Sequence, residues 1–154
     1  AQILEEVINS AASVLRRALA RVGGEDRLTL PQYRCLQAIA ATGSALTTQL
    51  ARQMEVTVPT MTGRIDGLVT RGFVERQPDP LDRRQIRLVL TATGREHFER
   101  CQQAIIDELQ RLLAPLSADQ QARLTAALQD LSLLLADGRR KASARQAGST
   151  LSPE

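Results

Sequence analysis

Two short amphipathic segments follow each other between residues 47 and 71 with almost no chain between them. Residues 47–54 hold their apolar side chains on one side, and residues 57–71 repeat apolar residues at i, i+4 and i+7. Only Glu55 and Val56 are left for the turn, and a threonine, Thr47 or Thr57, stands where each helix would begin and is expected to be its N-cap. Two helices of these lengths joined by so short a turn predict a helix-turn-helix.

Helical periodicity also dominates the rest of the chain. A helix is predicted over 1–22, ended by two glycines, and another after a T-x-x-Q capping box at Thr29. A long helix opens at Thr91 or Thr93 and breaks near Pro115, and a last one follows a capping box at Ser117 with Gly138 as its expected C-cap. Aromatic residues make up only 2% of the chain, so the core is expected to consist of Leu, Ile, Val and Ala.

After Gly72 the periodicity changes from that of a helix to that of a strand. Ile86, Leu88 and Leu90 alternate with more exposed positions, and residues 73–77 are the expected partner strand. The loop between them reads PDPLDRR, and its two prolines stiffen it. The sequence therefore predicts a two-stranded β-hairpin directly after the helix-turn-helix.

Charge and composition narrow the classes of protein without selecting one. The net charge is +3 and the pI is near 9.5; Lys141 is the only lysine among 20 basic residues. Arginine suits phosphates and guanine edges, but a codon bias would give the same composition. No apolar run approaches the ~18 residues of a membrane span and no signal peptide is visible, so we expect a cytoplasmic protein without membrane contact.

The stretch from Leu28 to Gly94 resembles the MarR family of winged helix-turn-helix regulators, and the flanking helices fit the same pattern. The most specific part is D-x-R, an alternating strand and L-T-x-x-G, here supplied by Asp82, Arg84, Leu90, Thr91 and Gly94. The resemblance implies a mainly α (α+β) fold and a homodimer that binds double-stranded DNA at a pseudo-palindromic operator. It implies neither an enzyme nor a cofactor.

On this interpretation the chain is one domain over 1–137, with a DNA-binding winged helix at 29–91. Helices 1–22 and 92–137 would form the dimer, because they carry more apolar surface than one small domain can cover; an intramolecular bundle is the alternative. The basic stretch 138–154, rich in Ala, Ser, Gly and Arg, is expected to be disordered.

The tip of the hairpin is the first candidate contact with DNA. Arg83 and Arg84 stand where no apolar surface can hold them, and the negative potential of a minor groove or its phosphates is their natural partner. Asp82 is interpreted as a brace that orients an arginine, which the resemblance also implies. A solvated charged loop is the alternative.

The second candidate contact is the outward side of the second helix of the motif. The N-terminal half of such a recognition helix reaches base edges. Its outward residues are Pro59, Thr60, Thr62, Gly63 and Arg64. At the start of the preceding helix, the expected phosphate contacts are Thr47, Thr48 and Gln49.

The resemblance also implies an effector pocket between the dimer helices and the DNA-binding part. Tyr33, with Arg17 or Arg21, could line it and hold a small aromatic or phenolic carboxylate. An architectural winged-helix dimer without a specific operator is a different class of function that the sequence leaves open.

No catalytic or metal-binding set can be assembled from the sequence. His97, the only histidine, lies among charged residues and is expected at the surface. Cys35 and Cys101 are too far apart in sequence for a zinc motif. Cys35 falls on an apolar stripe, which favours core packing, but a thiol-based redox-sensing regulator that uses either cysteine stays open.

Overall fold

The computed structural model describes the backbone of residues 2–149 and the side chains of residues 2–138. It divides into two compact units, residues 1–110 and 111–154, which are described separately. The fold is mostly helical with one small sheet. Its elements are α1 Gln2–Ala20, a 3-10 turn Gly24–Asp26, α2 Leu30–Thr42, β1 Ala45–Leu46, α3 Thr47–Gln53, α4 Val58–Thr70, β2 Val74–Pro78, β3 Ile86–Leu90, α5 Ala92–Leu113 and α6 Ala118–Ser149.

Most of the predicted helix starts are confirmed by side-chain caps. Thr29 and Gln32 form a capping box at α2, and Thr57 Oγ1 accepts the N–H of Thr60 at α4. The N-cap prediction for Thr47 is wrong, because Thr47 is the first residue inside α3. The side chain of Gln49 caps this end instead, with its Oε1 accepting the N–H of Leu46 at 3.1 Å.

The sheet has three antiparallel strands in the order β1-β3-β2 rather than the two expected. The predicted hairpin is present, with Val74 opposite Leu90 and Pro78 opposite Ile86. The additional strand β1 pairs Ala45 with Leu88. It was missed because two residues are too few to show an alternating pattern.

The core of the first unit lies under the helix-turn-helix and the sheet. Apart from His97, its fully buried centre consists of aliphatic and sulfur-containing side chains, as the low aromatic content predicts. The inward positions of α4 are those expected. The fully buried residues of α2 and α4 are Cys35, Leu36, Ile39, Met61, Ile65 and Leu68.

The L-T-x-x-G stretch joins the sheet to α5 at very close range. Thr91 Oγ1 accepts the N–H of Gly94 at 2.9 Å and donates to the carbonyl of Gly72 at 2.6 Å. A Cβ at Gly94 would overlap the carbonyl group of Phe73, and its distance to Phe73 Cα would be 2.9 Å. Glycine is required here because two backbones are in contact.

The second unit contains the end of α5 and helix α6. Ser117 and Gln120 form the predicted capping box at its start. The helix continues past Gly138 to Ser149, so Gly138 is not a C-cap and the expected disorder is wrong for residues 138–149. Three alanines, three arginines, one lysine and one glutamine in this stretch favour helix, and their propensity outweighs that of two glycines and two serines. Residues 150–154 of the expected tail lie outside the described part.

None of the helices in the described part of the chain is long and apolar enough to cross a membrane.

Candidate nucleic-acid interface

Helix α4 presents its N-terminal half to solvent while its opposite side is sealed in the core. Met61, Ile65 and Leu68 are fully buried, as the periodicity predicts. On the outward side Pro59, Thr60 and Gly63 are exposed, whereas Thr62 and Arg64 are half-buried. The five candidate recognition residues therefore lie together on one side of one helix.

The two threonine hydroxyls of this surface already have partners within the helix. Thr62 Oγ1 donates to the carbonyl of Val58 at 2.9 Å, and Thr60 Oγ1 lies 2.8 Å from Thr57 Oγ1. Thr62 thus has no free hydroxyl proton to donate, but it keeps acceptor lone pairs and a methyl group. Such a surface suits a donor on a base edge or the methyl of thymine.

Gly63 leaves the helix open to close approach from outside. A Cβ at this position would meet nothing within 4 Å in the protein, so packing does not require glycine here. A missing side chain on a recognition surface lets the helix backbone come nearer to the groove. The structure is therefore compatible with the role predicted for Gly63.

The start of α3 presents polar groups beside this surface. Thr48 and Gln49 are exposed and Thr47 is half-buried. Gln49 Oε1 accepts the N–H of Leu46, so the Nε2 group of this side chain is the part that can donate to a phosphate.

The wing tip, residues 79–85, is ordered by carboxylates. Asp82 accepts the N–H of Arg84 at 3.1 Å through Oδ1 and the side-chain amide of Gln85 at 3.0 Å through Oδ2. Asp82 therefore fixes the backbone of the turn and is not the side-chain brace of Arg83 or Arg84 that we expected. Both arginines are exposed, and neither makes a salt bridge within the described residues.

The carboxylate that does pair with an arginine is Asp79, which the sequence interpretation missed. It is buried, forms an ion pair with Arg87, and accepts the N–H groups of Leu81 at 2.7 Å and Asp82 at 3.1 Å. These bonds, that from Arg87 first, hold the pKa of the Asp79 carboxyl below its usual value.

Arg87 connects the wing to the chain just before α3. Its NH1 group lies 3.5 Å from Ser44 Oγ, at the limit of a hydrogen bond. Arg87, Asp79, Ser44 and Gln49 are among the residues that line a cavity of about 300 Å³. The base of the wing thus lies beside the residues that precede the first helix of the motif.

A second ion pair joins the wing strand to the recognition helix. Arg76 on β2 donates to Asp66 Oδ1 on α4 at 2.6 Å, and both side chains are partly exposed. Neither residue was singled out from the sequence. Their ten-residue separation across a helix end and a turn gives no local pattern to detect.

The three candidate effector residues are found in different environments. Arg21 donates to the buried Glu108 at 2.5 Å, and Tyr33 is buried and stacked on Phe98 with ring centroids 5.5 Å apart. Arg17 borders an open groove of about 440 Å³ on α1 together with Asn9 and Ser13. The structure gives Arg21 a carboxylate partner within the protein, which a carboxylate ligand would have to replace.

The expectation that His97 lies at the surface is wrong. Its ring is fully buried and stacked on Phe73, with centroids 4.6 Å apart. Nδ1 is 3.1 Å from an Arg100 nitrogen, and Nε2 has no hydrogen-bond partner among the described residues. Burial lowers the pKa of His97 and the charge of Arg100 adds to this effect; Asp26 acts in the opposite direction, and Arg71 lowers the pKa further.

Both cysteines are buried and unpaired as thiols. Burial raises the pKa of Cys35 and of Cys101, so neither has the exposed, acidic character typical of a reactive thiol. The prediction of core packing for Cys35 fits this environment. No group of three or more His, Cys, Asp or Glu side chains arranged for a metal ion occurs in the part of the chain that the structure describes.

The structure combines a helix-turn-helix that has an exposed polar recognition surface with a hairpin that has two unpaired arginines at its tip. This combination defines a winged helix-turn-helix DNA-binding regulator.

Comparison with known proteins agrees with this classification. The MarR family model matches residues 28–86. The multiple antibiotic resistance protein MarR of Escherichia coli is 33% identical over 98 residues, which cover 63% of this chain and 68% of that protein. An uncharacterized HTH-type transcriptional regulator of Mycobacterium bovis is 31% identical over 130 residues, 84% of this chain and 90% of the relative.

Solved structures give the same result. The crystal structure of wild-type MarR from Escherichia coli in its apo form superimposes with a TM-score of 0.74 at 27% identity, covering 84% of this chain and 93% of that one. A mutant MarR complexed with operator DNA gives a TM-score of 0.67 at 27% identity, covering 84% and 91%. The chain belongs to the MarR family of DNA-binding transcriptional regulators, whose members are not enzymes.

Proposed function

We propose that this regulator acts as a homodimeric repressor that binds a pseudo-palindromic operator and is released by a small-molecule effector. Recognition would use Pro59, Thr60, Thr62, Gly63 and Arg64 in the major groove. The wing would use Arg83 and Arg84, with Asp82 shaping the turn. Thr47, Thr48 and Gln49 would contact the backbone. A protein with this partner works where the DNA is, in the cytoplasm.

The observation that carries the proposal is the combination of a fixed wing tip with free cations. Asp79 and Asp82 use their carboxylates on the backbone of the turn, and Asp79 also neutralises Arg87. Arg84 has no acid within the described residues to neutralise it, so its guanidinium is available to a phosphate or a narrow minor groove.

Exposed apolar side chains support the dimer. On α1, Ile3 is 78% exposed, and Val7 and Ile8 are 50% and 56% exposed. On α6, Leu133 and Leu134 are each 70% exposed. Apolar side chains in such number on helices are typical of an interface, and an obligate dimer buries on the order of 2,000 Å².

The experiment that tests DNA binding is a salt titration of Arg84→Ala on operator and scrambled duplexes. A dimer loses two cationic contacts, so the slope of log K against log salt should flatten by about 2, with similar loss on both duplexes. Arg123→Ala is the matched control, because Arg123 is an 80% exposed arginine on α6 paired only loosely, at 4.0 Å, with Asp119. An unchanged slope for Arg84→Ala would refute the role of the wing.

Operator specificity separates a repressor from an architectural protein. Thr60→Ala and Thr62→Ala should reduce the preference for operator over scrambled DNA while leaving the salt slope nearly unchanged. A footprint should cover two half-sites whose centres lie about one helical turn, roughly 10 bp, apart. Equal affinity of the unmodified protein for both duplexes would favour the architectural alternative.

Light scattering of the full chain tests the dimer: a monomer mass at micromolar concentration would refute it.

The effector is proposed to be a small aromatic or phenolic carboxylate bound near Arg17, Arg21 and Tyr33. Because Arg21 is paired with Glu108, a ligand that uses Arg21 would have to displace that carboxylate. Arg21→Gln should then weaken the effect of such a compound on DNA release, whereas DNA binding without the compound should be unaffected. Release that persists in Arg21→Gln and Arg17→Gln alike would place the effector elsewhere.

A further inference from the structure

Three of the four sulfur atoms of the chain converge in the core of the helix-turn-helix. The sequence contains two cysteines and two methionines in 154 residues. Cys35 Sγ lies 3.8 Å from Met54 Sδ and 3.7 Å from Met61 Sδ. Both methionines of the chain therefore contact the same thiol, in a core that otherwise consists largely of Leu, Ile and Ala.

The three residues come from α2, which precedes the helix-turn-helix, and from the two helices of the motif. Cys35 is on α2, Met54 is the C-cap residue of α3, and Met61 is on the recognition helix α4. Cys35 and Met61 are fully buried, whereas Met54 is half-buried. A ligand held by the three sulfurs would link all three helices.

We propose that Cys35, Met54 and Met61 form a binding site for a monovalent soft metal ion, Cu(I). Thiolate and thioether sulfurs are the donors that select Cu(I) over harder ions. With metal–sulfur bonds of about 2.3 Å, sulfur separations of 3.7 and 3.8 Å correspond to sulfur–metal–sulfur angles of about 110°. Each thiol–thioether separation is therefore one that two ligands of a shared ion would show. Zinc, which is bound in proteins by four ligands including no thioether, does not suit the set.

Binding requires no redox step. Cu(I) replaces the proton of the Cys35 thiol: the S–H bond breaks, a Cu–S bond forms, the proton passes to solvent, and copper remains Cu(I). The two thioethers donate lone pairs and lose nothing. Because a cysteine thiol is protonated at neutral pH and binds the ion as a thiolate, the protein releases about one proton per ion bound.

Ordinary packing is the competing explanation, since sulfur atoms in contact have similar separations. Substitutions that keep volume distinguish the two. Met→Leu conserves volume in a core, so Met61→Leu and Met54→Leu should fold, yet each removes one soft donor. Cys101→Ser is the matched control, because Cys101 is also fully buried but no contact with a methionine sulfur is described for it.

The test is an anaerobic titration of the full chain with Cu(I) against a chromogenic Cu(I) chelator, without DNA. We expect one ion per protomer, sulfur neighbours at about 2.3 Å in X-ray absorption, and no comparable binding of Zn²⁺. Cys35→Ser should lose affinity by about 100-fold or more, and each Met→Leu variant by about tenfold. Cys101→Ser should bind as the unmodified protein does.

Three outcomes would overturn the site: no binding, binding that survives in both Met→Leu variants, or binding lost in Cys101→Ser instead. The Met→Leu variants keep the test valid if Cys35→Ser fails to fold. A consequence for DNA rests on the proposed function: Cu(I) should change operator affinity in the unmodified protein and not in Met61→Leu. Metal binding is measured without DNA, so an operator affinity that Cu(I) leaves unchanged refutes only the link between metal and DNA binding and not the metal site. If the metal-free protein binds no operator, the proposed function is refuted instead.

Discussion

The winged segment from Leu28 to Leu90 and helix α6 differ in how far their apolar side chains are buried. In the winged segment the inward residues of α2 and α4 are fully buried. On α6 no side chain that the structure describes is buried, and several leucines are more than half exposed. The winged segment therefore supplies its own stability, whereas α6 needs another surface to cover it.

The largest difference between these regions should be seen on removing a leucine from each. Leu36→Ala leaves a cavity beneath the recognition helix and should lower the free energy of unfolding by about 3 kcal/mol. Leu134→Ala, at a 70% exposed position, should instead act through association, making the melting temperature depend more strongly on protein concentration. Denaturant melts at two concentrations check both, and equal losses independent of concentration would contradict the comparison.

Glycine substitutions give the next contrast. Gly94→Ala forces a Cβ into the backbone of Phe73, and the required shift should cost about 2 kcal/mol. It should also disturb the wing, because Thr91 and Phe73 are on either side of this contact. Urea unfolding measures the loss; a variant as stable as the unmodified protein would show that the sheet and α5 can separate without penalty.

Acidification should affect the winged segment through His97. Its pKa is lowered by burial and by Arg100 and Arg71, so the folded state favours the neutral ring. The resulting stability is complete above the unfolded pKa near 6.5 and is lost as pH falls towards the lower folded pKa, by up to about 1.4 kcal/mol per pH unit.

His97→Phe is the matched variant for this prediction. It keeps a ring against Phe73 and removes the buried Nε2 that has no described partner. Its stability between pH 5 and 7 should lack the decline attributed to His97. Equal slopes for the two proteins in a pH series of urea melts would exclude the histidine as the cause.

The smallest effect is expected in α6. A Cβ at Gly138 would meet nothing within 4 Å, and the residue lies inside a helix. Gly138→Ala should therefore add about 0.5–1 kcal/mol to helix stability, the opposite sign to Gly94→Ala. Circular dichroism during thermal unfolding would detect it; a loss of helix would mean that the helix ends near Gly138, as the sequence first suggested.

Local signals in the sequence predicted most of the fold. Each of these signals spans only a few residues, and each is confirmed: the capping boxes at Thr29 and Ser117, the cap at Thr57 and the period-2 pattern of β3. Strand β1 was missed because it is two residues long and is defined only by pairing with β3.

The candidate site was predicted less completely, since its supporting contacts are tertiary. Asp79 reaches Arg87 across the hairpin, and Asp66 reaches Arg76 from the neighbouring helix. His97 has charged neighbours in sequence, which indicated a surface position, yet Phe73 and Gly23 enclose it. Asp82 was given a side-chain partner because sequence adjacency to two arginines does not reveal that its carboxylate turns towards the backbone.

The anchoring of the wing by Asp79 and Arg87 has a consequence for how the protein chooses DNA. A loop ordered before binding loses little conformational entropy on the duplex, and it also cannot adapt to one that fits badly. Arg87 also lies 3.5 Å from Ser44, shortly before α3, so on the proposed DNA contacts the distance between the minor-groove contact and the phosphate contact would be largely set before binding. The proposed contacts would then make affinity depend on groove width and DNA bending, so base pairs that the protein does not contact would contribute to selection through the energy of deforming the duplex.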